Sequence, residues 1–420
     1  MKLAGSTIRA AARAVTAVLG TPGAADRALS KFFRENRMLG REDRAVAAEA
    51  VYAILRQMRT LERVAASTRS LELVMAALVG PMGRNSREVA AALERGADEA
   101  DAMRRRWHEA RTAADPAADL PDWLWERLCA ERGDEEATRL AVSLLEVAPL
   151  DLRVNAARAS RDAVLAQMRL EGWAVEPTPY APFGLRIAGR PALQEHPLFI
   201  DGTIEVQDEA SQLVCHLMAP RRGEMVVDFC AGAGGKTLAL AALMRSTGRI
   251  YAFDVSAKRL DNLRPRLARS GASNVHPQRL ESERDPRVKR LHGKIDRVLI
   301  DAPCTGLGTL RRNPELKWRQ HPSDVAELAL KQRAILEAAH RLVKPGARLV
   351  YATCSLLGEE NEQVVEAFLA AHPEFSVVPA RAALAEERIE LPPTDEPWLR
   401  LLPHSHHTDG FFAALLQRSV

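Results

Sequence analysis

The chain has 420 residues, of which 47% are hydrophobic and 27% are charged, and its formal net charge at pH 7 is +4. This length exceeds a typical single hydrophobic core, so we expect two or three domains. No run of 18 uncharged apolar residues occurs, which excludes a membrane-spanning helix. The small positive charge permits nucleic acid as a partner but does not demonstrate one.

Residues 1–118 are predicted to form an all-helical domain. Apolar residues recur there at helical spacing, and strand signals are nearly absent. The first such helix carries the apolar series Ile8, Ala12, Val15 and Leu19. A stretch rich in Ala, Asp and Pro, residues 110–121, is predicted to be a linker.

Residues 119–205 are predicted to form a small α/β module. Two segments have helical patterns, 123–128 and 161–170, and two short apolar segments read as strands, 152–155 and 184–187. Proline and glycine punctuate the stretches between them, as is typical of turns.

From residue 206 to residue 420 the chain alternates between strand and helix patterns. The predicted strands are short and apolar, and they cover residues 225–228, 249–254, 297–301 and 348–353. Helical patterns follow them at residues 236–244, 256–269, 324–342 and 359–371. This alternation predicts an α/β domain with a doubly wound, parallel, Rossmann-like sheet.

Ligands bind such sheets at the carboxyl ends of the strands. The chemically reactive residues of this domain fall at those ends or just beyond them, and they are Cys230, Asp254, Asp301, Cys304 and Cys354. The coincidence predicts a binding or catalytic site at this edge of the sheet.

A glycine-rich loop follows the first of these strands. It reads Cys230, Ala231, Gly232, Ala233, Gly234, Gly235, Lys236 and Thr237. Glycine lets the backbone approach a ligand closely and leaves helix N–H groups beside it. Asp254, at the end of the next strand, is placed to accept hydrogen bonds from ribose hydroxyls. Together these features predict an adenosine-containing ligand.

Two alternatives for this loop have to be weighed. Gly235-Lys236-Thr237 is the end of a phosphate-binding P-loop, which would indicate a nucleotide hydrolase. The first glycine of that motif falls on Cys230, however, so the pattern fails by one residue. The dinucleotide pattern that starts at Gly232 fails in the same way, because its third glycine falls on Thr237.

The five cysteines are odd in number, scattered and without a C-x-x-C pair. Neither a disulfide framework nor a metal site is indicated, and a reducing cytoplasmic location is expected. Lone cysteines are usually small buried hydrophobes. Cys304 and Cys354 differ from buried structural cysteines, because each lies among turn-forming residues just past a strand. We therefore expect both to be reactive.

The loops around these cysteines, Asp301-Ala302-Pro303-Cys304 and Thr353-Cys354-Ser355, resemble those of the Sun/Fmu (RsmB/NOP) family of RNA cytosine-C5 methyltransferases. The segments at 206–211, 313–318 and 409–412 are also similar to that family, and so is 152–155 in its intermediate module. The helical N-terminus resembles the NusB-like, RNA-binding domain of the branch that acts on 16S rRNA. The resemblance thus covers almost the whole chain.

The resemblance implies S-adenosylmethionine as cofactor, held by the loop from Cys230 to Lys236, by Asp254 and by Asp301. It implies that Cys354 attacks carbon 6 of cytosine and that Cys304 helps to remove the C5 proton and release the adduct. Asp301 is expected at the N3 edge of the base, with Lys236 nearby.

Two positions depart from the family pattern. Gly232 and Ala233 stand where the family usually has Ala and Pro, a change that the backbone role tolerates. An Asp that contacts adenine is replaced by the segment 280–283, where Glu281 is the first choice and Glu283 the second.

The expected partner is RNA, and the resemblance implies 16S rRNA, with tRNA or another rRNA site as alternatives. Arg311 and Arg312 are expected to grip phosphates. A monomer without metal is expected. A nucleotide hydrolase and a non-catalytic RNA-binding module stay open as alternative functions.

Overall fold

The computed structural model describes residues 3–113, 115–189 and 191–420. The chain forms two compact units, one made of Met1–Val147 with Leu310–Gln320 and the other of Ala148–Thr309 with His321–Val420. None of the helices described is both long and apolar enough to cross a membrane. The division into three domains that the sequence suggested stays a prediction.

The first unit is helical, as the sequence predicted. Its helices are α1 (Gly5–Leu19), α2 (Ala25–Glu35), α3 (Arg41–Arg56), α4 (Met58–Ala65), α5 (Ser70–Val79), α6 (Ser86–Ala92), α7 (Ala97–Ala113), α8 (Asp122–Arg132), α9 (Asp134–Leu144) and, from the later segment, α16 (Leu316–Arg319). Its core is built on fully buried residues such as Ile8, Ile54, Met75 and Met103. Part of the predicted linker, residue 114, lies outside the described residues, and a short 3-10 helix at Pro116–Asp119 follows it.

The second unit begins with a four-stranded antiparallel sheet. Its strands are β1 (Leu150–Val154), β2 (Val175–Pro177), β3 (Gly184–Ile187) and β4 (Ile204–Val206), in the order β2-β3-β1-β4, with helices α10 (Arg161–Leu170) and α11 (Pro197–Ile200). The predicted small α/β module is therefore present. The boundary that we placed between residues 205 and 206 falls inside β4.

A larger sheet fills the rest of this unit. Its strands are β5 (Met225–Asp228), β6 (Arg249–Asp254), β7 (Val275–Arg279), β8 (Ile295–Asp301), β9 (Val343–Thr353), β10 (Phe375–Val378), β11 (Leu399–Leu401) and β12 (Phe411–Arg418). They run in the order β10-β12-β9-β8-β5-β6-β7, and β11 pairs with β12. The accompanying helices are α12 (Glu209–Met218), α13 (Gly235–Leu243), α14 (Ala257–Ser270), α15 (Pro286–Lys289), α17 (Pro322–Ala339), α18 (Glu362–Ala371), α19 (Ala380–Glu386) and α20 (Pro403–His406).

The prediction of a parallel sheet holds for β5 to β9, whereas β12 runs antiparallel to β9 and pairs in turn with β10 and β11, also antiparallel. The sheet is thus mixed. We did not delimit β7 from the sequence, since it is polar and contains Pro277. Proline is tolerated there because β7 is an edge strand that pairs only with β6 on the described path.

The strand order brings the predicted site residues to one edge. β6, β5, β8 and β9 are successive parallel neighbours, so the loops after their carboxyl ends lie side by side. Asp301, the last residue of β8, is in register with Ala352 of β9. Residues far apart in sequence can therefore meet at this edge.

Candidate active site

A cleft of about 670 Å³ opens at the carboxyl ends of the parallel strands. Most of the residues predicted to bind or react line it, namely Cys230, Ala231, Gly232, Ala233, Gly235, Lys236, Asp254, Asp301, Cys304 and Cys354. Gly234 and Glu281 are not among its lining residues. The volume is within the ordinary range for a small-molecule site.

The glycine-rich loop takes a conformation that needs its glycines. Gly232 and Gly234 have φ of +56° and +84°. A Cβ atom on Gly234 would lie 2.0 Å from Cδ1 of Leu263, so any side chain there would collide with α14. Gly234 thus shapes the loop from behind the cleft and does not line it.

Asp254 holds the same loop in place. Its Oδ2 accepts a hydrogen bond of 2.8 Å from the N–H of Gly232, and its Oδ1 accepts one of 2.7 Å from the N–H of Ser256. Each carboxylate oxygen can accept a further donor. Because Asp254 also lines the cleft, its carboxylate can receive the hydroxyls of a ribose.

The two glutamates after β7 lie in different surroundings, and the second choice is the one at the cleft. Glu283 is half-buried and lines the cleft, whereas Glu281 is exposed and lies outside it. The backbone N–H of Glu281 donates to Asp285, which starts the short helix α15. Position 283, our second choice, follows on this turn and faces the cleft.

The buried Lys236 and the half-buried Asp301 form an ion pair in the cleft. Lys236 Nζ lies 2.8 Å from Asp301 Oδ2 and 4.9 Å from the centre of the Phe411 ring. Burial disfavours the charged lysine, but the Asp301 carboxylate outweighs that effect and raises the pKa of Lys236 above its ordinary value. The cleft therefore contains a fixed positive charge next to a carboxylate.

The two cysteine loops meet in the cleft. Cys304 Sγ and Cys354 Sγ are 3.2 Å apart. The hydrogen bond to Cys354, together with burial, raises the pKa of Cys304 well above its ordinary value. Cys304 therefore holds its proton more strongly than an ordinary cysteine does.

Close backbone packing fixes this meeting point. The N–H of Gly308 donates to the carbonyl of Cys354, and the N–H of Gly410 donates to the carbonyl of Gly308, both at 2.8 Å. A Cβ atom on Gly308 would lie 2.0 Å from the Gly410 carbonyl oxygen. The three segments can pack this closely only because glycine occupies both positions.

The glycine-rich loop lacks the features of a nucleotide-hydrolase site. In a P-loop the Thr hydroxyl binds magnesium and the Lys reaches the phosphates. Here Thr237 is fully buried and donates to Asp228 Oδ2 at 2.6 Å, while Lys236 is paired with Asp301. Cys230 replaces the first glycine, and burial raises its pKa well above the ordinary value. Neither polar side chain is left for a triphosphate.

Of the two arginines expected to bind phosphates, Arg311 is buried and Arg312 is half-buried. The side chain of Arg311 is 3% exposed, and the residue belongs to the segment Leu310–Gln320, which is part of the helical unit. Within that unit, Lys317 Nζ donates to the carbonyl of Arg56 and Trp318 Nε1 to that of Leu55, both at 2.7 Å. The arginine cluster therefore begins a packed segment of that unit.

Other cleft residues were not predicted from the sequence. Gln207 precedes α12 and Ser211 lies in its first turn, and Lys331 and Ile335 lie on α17. The segment 206–211 was noticed only for its resemblance, without a role. Lys331 and Ile335 could have been suspected only from their spacing of four on one helix face.

One cluster outside the cleft could hold a metal ion. Ligand atoms of Glu337, His340 and His372 lie within 4.8 Å of one another. The polar atoms of Glu337 and His372 already have partners, however, because Glu337 Oε2 lies 2.7 Å from His372 Nε2 and Glu337 Oε1 accepts from Arg341 at 2.9 Å. The cluster is a hydrogen-bond network that joins α17 to the end of α18.

Comparison with known proteins identifies relatives of this chain. Residues 215–417 match the family model "16S rRNA methyltransferase RsmB/F", and residues 120–194 match the ferredoxin-like domain of RsmF/B-like methyltransferases. The probable ribosomal RNA small subunit methyltransferase B of Synechocystis is 38% identical over 304 residues, which cover 71% of this chain and 67% of the relative. The corresponding protein of Bacillus subtilis is 32% identical over 298 residues, covering 71% and 66%. The crystal structure of PH0851 covers all of both chains, with a TM-score of 0.80 and 29% identity.

Proposed function

The chain belongs to the RsmB/F family of 16S rRNA methyltransferases, and we propose that it methylates carbon 5 of a cytosine in 16S rRNA through a covalent cysteine adduct. Membership makes it an RNA methyltransferase that uses S-adenosylmethionine. The observation that carries the proposal is the pair of cysteines 3.2 Å apart in a cleft that also contains Asp254 and the Lys236–Asp301 pair.

The cleft fits the cofactor. Asp254 is oriented by two backbone N–H groups and keeps acceptor capacity for ribose hydroxyls. Phe229, Leu280 and Ile335 supply an apolar wall that suits an adenine ring, and Glu283 is the acidic group beside it. When bound, S-adenosylmethionine supplies the methyl group. The residues named here would hold it against the two cysteines.

The first chemical step belongs to Cys354. Carbon 5 of cytosine is a poor nucleophile, and addition of the Cys354 thiolate to carbon 6 moves an electron pair into the ring. The ring then carries negative charge at N3 and becomes nucleophilic at carbon 5. Asp301 would contact the N3 edge, and the ammonium of Lys236, 2.8 Å from that carboxylate, stabilises the new charge.

Cys304 completes the reaction. Once Cys354 is bonded to carbon 6, its sulfur is a thioether and a poor acceptor, so the hydrogen bond that is the largest cause of the raised Cys304 pKa weakens. Cys304 can then release its proton to solvent and act as the base that takes the proton from carbon 5. The C6–S bond breaks as the C5=C6 double bond reforms, which releases the methylated base and the Cys354 thiolate.

The target base has to enter the cleft, so we propose that it is single-stranded or extruded from a helix. The family supports 16S rRNA as the substrate, with tRNA or another rRNA site as the alternative. A cytoplasmic, monomeric enzyme stays a prediction.

Two measurements test this function. Bisulfite sequencing of 16S rRNA and tRNA from a deletion strain should reveal one lost 5-methylcytosine in 16S rRNA, and restoring the gene should restore it. S-adenosylhomocysteine should raise the melting temperature of the purified protein, whereas ATP should not. Loss of a tRNA methyl group would overturn the substrate, and stabilisation by ATP alone would favour a nucleotide hydrolase.

A further inference from the structure

A buried carboxylate lies behind the two cysteines and has no part in the chemistry described above. Glu360 is 0% exposed and ends the short 3-10 helix Gly358–Glu360, between β9 and α18. Among the described residues no ion pair of Glu360 is found. Burying an unpaired carboxylate is costly unless hydrogen bonds replace its hydration, so its contacts need an explanation.

Four hydrogen bonds converge on this carboxylate. Its Oε1 accepts from the backbone N–H of Thr305 at 2.9 Å and from Gln332 Nε2 at 3.0 Å. Its Oε2 accepts from the hydroxyls of Thr305 and Ser355, both at 2.5 Å. A carboxylate has about four lone-pair sites, so these donors fill its capacity.

The donors come from the two cysteine loops. Thr305 directly follows Cys304, and Ser355 directly follows Cys354. Gln332, on α17, donates also to the carbonyl of Pro303, the residue before Cys304, at 2.9 Å. One side chain therefore joins the loop after β8 to the loop after β9, at the residues next to both sulfurs.

Glu360 is itself held in place. Its carbonyl accepts from the hydroxyl of Tyr351 at 2.6 Å. The neighbouring Asn361 donates to the carbonyl of Ser355 at 3.2 Å and accepts from Thr353. The carboxylate thus has a fixed position from which it can restrain the loops.

We propose that Glu360 is a positioning residue that joins the two cysteine loops and sets the separation of their sulfurs through its carboxylate. The inference rests on the proposed function, because the separation matters when Cys304 acts on a base bonded to Cys354. Loss of the carboxylate removes the hydrogen bonds that join the two loops, so it should impair release of the adduct more than binding of RNA or cofactor.

The first test compares Glu360→Gln with Glu366→Gln in the full-length protein. Glutamine at position 360 keeps the side-chain volume but places an N–H donor where four donors already point. Glu366 is an exposed residue of α18 and serves as the control. We expect Glu360→Gln to lower kcat roughly 10- to 100-fold, as a displacement of reacting groups does. The KM for 16S rRNA and the Kd for S-adenosylhomocysteine should change less than about twofold, and some denaturant-resistant RNA adduct should accumulate. Glu366→Gln should match the wild type.

An unchanged kcat in Glu360→Gln would overturn the proposal. A parallel loss of melting temperature and S-adenosylhomocysteine binding would also overturn it, since a fold defect would then explain the activity. Ser355→Ala supplies a second variant. If Glu360 acts through Ser355, the kcat effects of the two substitutions should be clearly less than multiplicative in the double variant, and fully multiplicative effects would contradict the proposed path.

A readout that needs no RNA separates this inference from the proposed function. Diamide oxidises two nearby thiols to a disulfide and is itself reduced, so the rate of Cys304–Cys354 crosslinking reports the separation of the sulfurs. We expect Glu360→Gln to crosslink several-fold more slowly than the wild type and Glu366→Gln to crosslink equally fast, as measured by mass spectrometry. Equal rates in all three proteins would overturn the inference, whether or not the wild type methylates RNA. If Glu360→Gln crosslinks more slowly than a wild type that methylates no RNA, the proposed function is overturned and the positioning role stands.

Discussion

The sulfur of Cys304 lies 3.2 Å from the sulfur of Cys354, although the residues are 50 positions apart in the chain. The contact exists because β8 and β9 are adjacent parallel strands, so that the loops after them leave the sheet side by side. At this distance one sulfur can influence the proton on the other, which gives two chemically similar residues different roles.

Replacing each cysteine by alanine should separate these roles. Cys354→Ala should reduce methylation below detection and form no RNA adduct, because no thiolate is left to attack carbon 6. Cys304→Ala should also lose turnover but accumulate a denaturant-resistant protein–RNA adduct, because the C5 proton is no longer removed. Methyl incorporation and denaturing gel electrophoresis measure the two outcomes.

Cys129→Ala is the matched control, since Cys129 lies in the helical unit. It should leave both readouts at wild-type level. An adduct that persists in Cys354→Ala would reverse the assignment of the two cysteines.

Lys236→Met should lower kcat roughly 100- to 1000-fold, as the loss of a preorganised electrostatic group does. The substitution keeps most of the buried volume and removes the ammonium group. Among the ion pairs of the described residues, this group is the only partner of Asp301. Single-turnover methylation, quenched at a series of times, would measure the effect. Lys258→Met, at an exposed position of α14, serves as the control, and similar losses in both variants would contradict a specific role for Lys236.

Glu283→Gln should weaken S-adenosylhomocysteine binding by about tenfold, which corresponds to one lost charge-assisted hydrogen bond of about 1.4 kcal/mol. Glu281→Gln is a matched control two residues away, because Glu281 is exposed and outside the cleft. Isothermal titration calorimetry distinguishes the two. A tenfold loss in Glu281→Gln with no change in Glu283→Gln would restore our first choice from the sequence.

The sequence was sufficient where local pattern decides structure. The helix at Arg161–Leu170 and the strands Met225–Asp228 and Arg249–Asp254 have the predicted bounds. It was insufficient where tertiary pairing decides. β7 is polar and carries a proline, and only its place at the sheet edge explains it.

The site shows the same limit. The cysteine loops could be noticed because turn-forming residues at strand ends are local features of the sequence. Glu360 could not, because it lies in an acidic run that resembles a solvated helix start, and its partners Thr305, Gln332 and Ser355 come from three other segments. The burial of Arg311 within the helical unit could not be predicted either, because a pair of basic residues in the sequence is ordinarily exposed.

Asp228 makes the stability of the protein depend on pH. Its side chain is 1% exposed, and its Oδ1 has no hydrogen-bond partner among the described residues. Burial raises its pKa to about 7, although the hydrogen bond from Thr237 opposes that change. Because the pKa is raised above the unfolded value of about 3.9, this contribution to stability is fully present below pH 3.9 and is lost as the pH rises through 7.

Asp228→Asn should abolish this dependence, because an amide stays neutral and its oxygen can still accept the hydrogen bond of 2.6 Å from Thr237. The variant should gain stability relative to the wild type by roughly 4 kcal/mol between pH 4 and pH 8. Melting curves of both proteins across this range measure the difference in their stability. The contributions of other titrating groups are the same in both proteins and cancel in that difference. Asp261→Asn, at an exposed position on α14, should follow the wild type. A constant difference between Asp228→Asn and the wild type would show that Asp228 is ionised in the folded protein throughout, and the buried carboxyl would then need a cation that faces it.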